Sequence, residues 1–147
     1  MLLQNKTAVV TGCNRGIGKK ILEVFSANGA TVIACVRNIT EEFKTFLNEI
    51  KKKFNNQVIP IQFDLNDESQ IKKASSNILS SNSSIDILVN NAATIHTALF
   101  QMTSTKKLKE LFETDFFSQT LFTQYILKSM IKKKSGSILY ISSSSAL

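Results

Sequence analysis

Short runs of β-branched residues alternate along the chain with longer stretches in which apolar positions recur every three or four residues. That alternation predicts strands joined by amphipathic helices, hence a parallel sheet with helices on both faces. The first strand is Thr7–Thr11 (TAVVT), followed by a glycine-bearing turn and a helix whose apolar stripe reads as Ile17, Ile21, Val24 and Phe25. Asn28-Gly29 ends that helix, because glycine accepts the left-handed conformation there. A second strand, Thr31–Val36 (TVIACV), leads into a helix over Glu41–Phe54, with Phe43, Phe46, Leu47 and Ile50 on one face and Thr40 as its cap.

The third strand, residues 58–63, contains Pro60, which lacks a ladder donor and therefore places the strand at a sheet edge. Asp64-Leu65-Asn66-Asp67 turns the chain into a helix over residues 68–79, with Ile71, Ala74, Ile78 and Leu79 inward. The fourth strand, residues 85–89 (IDILV), is apolar on both faces apart from Asp86, as a central parallel strand should be. After Asn90-Asn91-Ala92-Ala93 an irregular segment runs to about Ser104. The longest helical pattern spans residues 105–133, with room for a break. Its Leu108, Leu111, Phe112, Phe116, Phe122, Ile126 and Met130 are enough to cover the sheet and leave a strip for a partner subunit. Ser135-Gly136 ends it, and residues 137–141 (SILYI) form the fifth strand.

A length of 147 residues with 43% hydrophobic content suits one domain over residues 1–147, and no linker divides it. Cys13 and Cys35 are too few for a disulfide scaffold and lack metal-ligand spacing, so both read as small buried or half-buried residues and no metal is expected. The N-terminus lacks the pattern of a cleaved leader, and no stretch approaches the roughly 20 apolar residues that cross a bilayer. A soluble, cytoplasmic protein without a membrane partner is expected. The net charge of +7 would suit nucleic acid, but Lys51, Lys52, Lys53 and Lys132, Lys133, Lys134 fall near predicted helix ends, where the helix dipole favours cations. With no interleaving of aromatic and basic residues, no nucleic-acid partner is expected.

Candidate chemistry begins at Thr11-Gly12-Cys13-Asn14-Arg15-Gly16-Ile17-Gly18, between a strand and a helix. The first glycine permits a tight turn, the next lets backbone approach a pyrophosphate, and the last lets helix and sheet come close. Amides at the helix start then face the phosphates with the positive end of the helix dipole. A tight structural turn with no ligand is the alternative. The glycine spacing differs from the ordinary dinucleotide fingerprint and resembles the TGxxxGxG motif of the short-chain dehydrogenase/reductase family. Asp64-Leu65, Asn90-Asn91-Ala92-Ala93, the segment LFETDFFSQTLFTQ from Leu111, and ILYISS from Ile138 resemble further family elements in the same order. The resemblance covers essentially the whole chain and implies a Rossmann-like, doubly wound, three-layer α/β/α fold with strand order 3-2-1-4-5.

It also implies a dinucleotide site formed by Gly12, Asn14, Arg15, Gly16, Ile17, Gly18, Arg37, Asp64, Leu65, Asn91, Ala92 and Ala93. A carboxylate at the end of the second strand would suit the ribose diol of NAD, whereas a cation there suits the 2′-phosphate of NADP. This chain has Val36 and Arg37 at that point, and Arg15 in the turn matches a second phosphate-binding position, so NADP(H) is expected over NAD(H). By the same resemblance Asp64 receives the adenine amino group and Leu65 packs near the base. Without it, Asp64 is a turn carboxylate that competes with Asp67 to cap the following helix. Asn90 is read as stitching strand ends through its amide. Ala93 replaces a family glycine and requires backbone angles that suit an L-residue.

Ser143 matches the substrate-orienting serine, among Ser142, Ser144 and Ser145, and Asp115 stands where the family carries a catalytic asparagine. The family's proton donor is a tyrosine in a YxxxK element on the next helix. Neither Tyr125 nor Tyr140 begins that pattern, so a chain ending at Leu147 reads as truncated before it and inactive alone. His96, the sole histidine, reads as a surface or pocket-wall residue. The implied parent is an oxidoreductase that reduces a ketone or 3-oxoacyl carbonyl, the latter from similarity to the family's acyl-carrier-protein reductases. It would act on a small carbonyl or acyl substrate as a homo-oligomer. The alternatives are an inactive NADP(H)-binding fragment or a product without function. With the fifth strand left at the sheet edge, the isolated chain is expected to be poorly soluble or to self-associate.

Overall fold

In the computed structural model, which describes residues 1–82 and 84–143, hydrogen bonding assembles the apolar runs into one sheet. Its strands are β1 (Thr7–Thr11), β2 (Thr31–Val36), β3 (Val58–Gln62), β4 (Ile87–Asn90) and β5 (Ser137–Tyr140), in the order β3-β2-β1-β4-β5. Every pairing is parallel, with Val9 opposite both Ile33 and Leu88 at the centre. The crossovers are α1 (Gly16–Ala27), α2 (Glu41–Phe54), α3 (Glu68–Ser81), and α4 (Thr105–Phe112) followed by α5 (Ser118–Lys133). This is the doubly wound α/β arrangement expected, with Pro60 on an edge strand.

Alternate residues of each strand point to opposite faces and build two cores. On one face Val9, Ile33 and Leu88 meet Ile71 and Ile78 of α3 and Phe122 and Ile126 of α5, and the Phe63 and Phe122 ring centroids lie 5.1 Å apart. On the other face Val10, Val32, Ala34 and Val89 meet Leu22 of α1 and Phe43, Leu47 and Ile50 of α2. Thr40 caps α2, its hydroxyl accepting the Phe43 N–H at 3.2 Å. Among the described residues no helix is long and apolar enough to cross a membrane, and no group of His, Cys, Asp and Glu could hold a metal ion.

Several local expectations are corrected. Helix α1 buries Gly18, Leu22 and Ser26, whereas Ile17 and Val24 are 61% and 43% exposed. A Cβ on Gly18 would lie 2.2 Å from the Gly12 carbonyl oxygen, so the missing side chain, not the apolar count, sets the rotation of the helix. The long helical stretch does contain the break its pattern left room for, a π-helical turn at Glu113–Phe117, and Phe112 and Phe116 are exposed while Phe122, Ile126 and Met130 cover the sheet. It ends at Lys134, in the left-handed region with φ of 56°, instead of at Gly136. Gly136 instead makes room for Met130, whose side chain would lie 2.5 Å from a Cβ there.

Strand β4 starts at Ile87, two residues later than its apolar pattern suggests. The Thr7 N–H is taken by the Asp86 side chain at 2.9 Å. Burial works against the charge on this carboxyl, yet Lys133, the Thr7 N–H and Lys6 together hold it below the usual aspartate range. Strand β5 pairs only with β4 among the described residues, and Ile138, Leu139 and Tyr140 are 38%, 43% and 51% exposed.

Candidate functional site

Because all strands are parallel, the turns after them gather along one edge of the sheet, and the chain reverses its order of addition between β1 and β4. Ligands of such sheets bind outside the strand ends at that reversal. The expected site residues sit there: Gly12 to Gly18 after β1, Arg37 after β2, Asp64 and Leu65 after β3, Asn91 to Ala93 after β4, and Ser143 after β5. Ser144 and Ser145, two other members of the serine run, lie outside the described residues.

The turn after β1 is built by backbone constraint. Gly12 has φ of +73°, and its N–H donates to the Cys35 carbonyl at 2.9 Å, pinning the turn to the end of β2. Cys13 points inward, where burial pushes its thiol up to about 12, and Cys35 is raised by burial too, so neither is a nucleophile. Asn14 Nδ2 donates to the Asn38 carbonyl at 3.2 Å, drawing the segment of Arg15 towards that of Arg37. Both arginines are exposed, and neither forms an ion pair among the described residues.

Helix α1 starts without a side-chain cap and without an acidic residue in its first turn. Its leading N–H groups therefore have no side-chain acceptor and carry the positive end of the helix dipole. Gly16, with φ of +56°, faces open space: a Cβ there would meet no atom within 4 Å. Gly18 is the opposite case, closed against Gly12 and Asn91. The three glycines thus divide into a bend, an opening and a contact.

Thr11, which sequence reasoning left unassigned, joins the two central turns. Its buried hydroxyl accepts the N–H groups of Asn91 and Ala92, each at 3.0 Å, while Asn91 Nδ2 donates to the Thr11 carbonyl at 2.9 Å and more weakly to Gly12. Asn91 is therefore the residue that stitches the strand ends. Asn90, expected in that role, turns instead to α5 and donates to Thr123 Oγ1 at 2.9 Å. Ala93 is absent from the residues with positive φ, so its methyl group is accommodated where the family pattern has glycine.

After β3, Asp67 and not Asp64 caps α3, accepting the Gln70 N–H at 3.1 Å. Hydrogen bonds from the Ser69 hydroxyl and from the Gln70 side chain and backbone lower its carboxyl to about 2. Asp64 Oδ1 braces its own turn, accepting the backbone N–H of Asn66 at 2.9 Å and its side-chain amide at 3.2 Å. Leu65 packs half-buried on the core. Asp115 lies in the π turn, its Oδ1 accepting the Thr94 N–H at 2.8 Å. Gln119, also unassigned from sequence, donates to the carbonyls of Ala92 at 2.7 Å and Asp115 at 3.0 Å. Its spacing four residues after Asp115 was the available signal. His96 is exposed, 3.4 Å from Thr103 Oγ1, apart from these contacts.

A family model described as short chain dehydrogenase matches residues 6–147. The chain is 36% identical over 141 residues to the 3-oxoacyl-[acyl-carrier-protein] reductase FabG of Aquifex aeolicus, covering 96% of this chain and 56% of that protein. It is 34% identical over 145 residues to dehydrogenase/reductase SDR family member 7B of Rattus norvegicus, covering 96% and 45% respectively. L-sorbose reductase from Gluconobacter frateurii, solved in complex with NADPH and L-sorbose, superposes with a TM-score of 0.90 at 25% identity over 100% of this chain and 56% of its own. A short-chain dehydrogenase from Streptomyces avermitilis gives 0.83 at 30% identity over 97% and 51%. The chain thus spans about half the length of the curated relatives it matches.

Proposed function

The chain belongs to the short-chain dehydrogenase family, and from that premise we propose that it carries the cofactor-binding part of an NADP(H)-dependent oxidoreductase that reduces a ketone or 3-oxoacyl carbonyl to an alcohol. The observation that carries this reading is the opening at the start of α1. An uncapped helix start, free space at Gly16 and two exposed arginines on segments joined by the Asn14–Asn38 bond suit a ligand with paired phosphates and a further phosphate. No carboxylate follows β2, where the chain reads Arg37-Asn38, so the acidic side chain that would accept a ribose diol is lacking at that point. The solved complex of L-sorbose reductase with NADPH adds support from a relative.

In this reading the leading amides of α1 hold the pyrophosphate, Arg15 and Arg37 hold the 2′-phosphate, and Asp64 and Leu65 flank the adenine. Asn91, Ala92 and Ala93 line the far half, with Ile17 exposed at the helix start for apolar contact. The bound nicotinamide supplies the hydride. Ser143 donates a hydrogen bond to the substrate carbonyl oxygen, where negative charge develops. A cytoplasmic setting and a homo-oligomeric parent belong to the same proposal.

A second reading, cofactor binding without turnover by this chain alone, is favoured by how its tyrosines are used. The Tyr140 hydroxyl is 2.9 Å from Thr123 Oγ1, and Tyr125 packs on the core with Lys128 Nζ 5.1 Å from its ring centroid. Neither is placed as an acid with a lysine partner.

Titration of the purified chain with NADPH and NADH, read by melting and by NADPH fluorescence, tests the proposal. NADPH should bind more tightly, and Arg37→Ala should weaken it by roughly 10- to 100-fold, the worth of hydrogen bonds to a charged group. A preference for NADH would refute the arginine roles. Carbonyl-dependent NADPH oxidation would reject the second reading in favour of the first.

A further inference from the structure

The π turn at Glu113–Phe117 touches both halves of the candidate site through consecutive residues. Thr114 Oγ1 lies 2.5 Å from Asn66 Oδ1, and Asn66 is the residue whose amides brace Asp64. Asp115 Oδ1 accepts the N–H of Thr94, beyond β4. Four residues on, the buried Gln119 ties the Asp115 carbonyl to that of Ala92. The turns after β3 and β4 are not neighbours in the sheet, since β2 and β1 stand between them. The π turn therefore reaches across that gap from the helical layer. A π turn inserts one residue into a helix and re-aims the side chains around it, which is why such turns recur at functional sites.

Resting on the dinucleotide reading above, we propose that Thr114 and Asp115 are positioning residues that set the spacing between the adenine half and the nicotinamide half of the cofactor site. Thr114 holds the Asp64–Asn66 turn and Asp115 holds Thr94, with Gln119 fastening Ala92 beside it. Asp115 acts as a hydrogen-bond acceptor, and its charge and any proton transfer are incidental to that role. An asparagine, which keeps the Oδ1 acceptor, should replace it without loss.

The test uses the full chain, with 2′,5′-ADP as a probe of the adenine half, NADPH as a probe of both halves, and amide hydrogen exchange at Thr94. Thr114→Val should weaken both ligands by a similar factor of roughly 3 to 10, the worth of one hydrogen bond, and Thr114→Ser should restore them. Asp115→Ala should weaken NADPH by a similar factor, leave 2′,5′-ADP within about twofold, and speed exchange at Thr94 by about tenfold or more. Asp115→Asn should match the parent in all three readouts.

The proposal is overturned if Asp115→Asn behaves as Asp115→Ala, which would make the charge the active feature. It is equally overturned if Asp115→Ala weakens both ligands alike, the mark of general destabilisation, or if both Asp115 and Thr114 variants bind as the parent does. Should the parent chain bind neither ligand, the cofactor reading fails; exchange at Thr94 in Asp115→Ala against Asp115→Asn then still decides whether the clamp exists.

Discussion

Replacing Gly18 by alanine separates helix propensity from packing, because the two act in opposite directions there. Gly18 lies inside the first turn of α1 with no left-handed φ, so its backbone would accept alanine, and alanine is favoured over glycine in a helix by about 1 kcal/mol. The added Cβ, however, would sit 2.2 Å from the Gly12 carbonyl oxygen and 2.4 Å from Asn91 Nδ2. Two of its nearest neighbours are backbone atoms of Gly12, itself fixed by the Cys35 carbonyl, so no flexible side chain can absorb the clash. Helix and turn must part by about 1 Å to reach ordinary contact distances. Overpacking of this kind costs about 1–3 kcal/mol, and here it also strains the Asn91 bonds to Thr11 and Gly12.

Strain on the Asn91 bonds, worth about 1 kcal/mol, offsets the propensity gain, so the net expectation for Gly18→Ala remains a loss of about 1–3 kcal/mol, read as a fall in the urea midpoint at unchanged slope. Binding of NADPH should weaken in parallel, since the Gly12 to Gly18 turn is the element displaced. A variant as stable as the parent, or more stable, would show that propensity outweighs the contact and would refute the claim that Gly18 sets the rotation of α1.

Gly16→Ala should behave differently: its Cβ meets nothing within 4 Å but its φ is +56°, so the cost is confined to about 1–2 kcal/mol of backbone strain. Its methyl group would point into the proposed phosphate space, so NADPH affinity should fall by more than the stability loss explains, as compared by calorimetry and urea titration. Asp86→Asn should destabilise by about 1–2 kcal/mol at neutral pH, since it keeps an acceptor for Thr7 but loses the charge facing Lys133 and Lys6. Because the folded carboxyl is held below its unfolded value, that contribution is whole above the ordinary aspartate range near 3.9 and fades as the pH falls through the folded value. Melting of parent and variant should therefore converge as the pH falls below the ordinary aspartate range, and a gap independent of pH would contradict the assignment.

How much of the fold is legible in the amino-acid sequence depends on whether one interaction or several decide the outcome. The boundaries of β1, β2 and α2 followed from runs in which every local preference agrees: β-branched strands, a Thr40 cap, and Phe43, Leu47 and Ile50 on one face. Pro60 was legible as an edge residue for the same reason. The stripe on α1 was not, because Ile17 and Val24 are as hydrophobic as Leu22 and a periodicity count weighs them equally. Only the contact between Gly18 and Gly12, residues whose relation depends on how the turn folds back, selects which face goes inward. Gly136 illustrates the converse: it stands where a helix-ending glycine is expected, yet Lys134 takes the left-handed conformation and the glycine serves Met130.

The same distinction explains which polar residues of the site escaped notice. Asn90 and Asn91 are chemically identical and adjacent, and strand alternation sends one towards Thr123 and the other towards Thr11. Thr114 and Asp115 were separable only by the π turn, which shifts the helical phase by one residue and has no propensity signature of its own. A substitution at Asp115 read from sequence alone suggests altered chemistry, whereas its bond to the Thr94 N–H asks only for an acceptor. That is why Asp115→Asn, and not the loss of the side chain, is the informative change: it removes the charge while leaving the geometry that holds the two halves of the site apart.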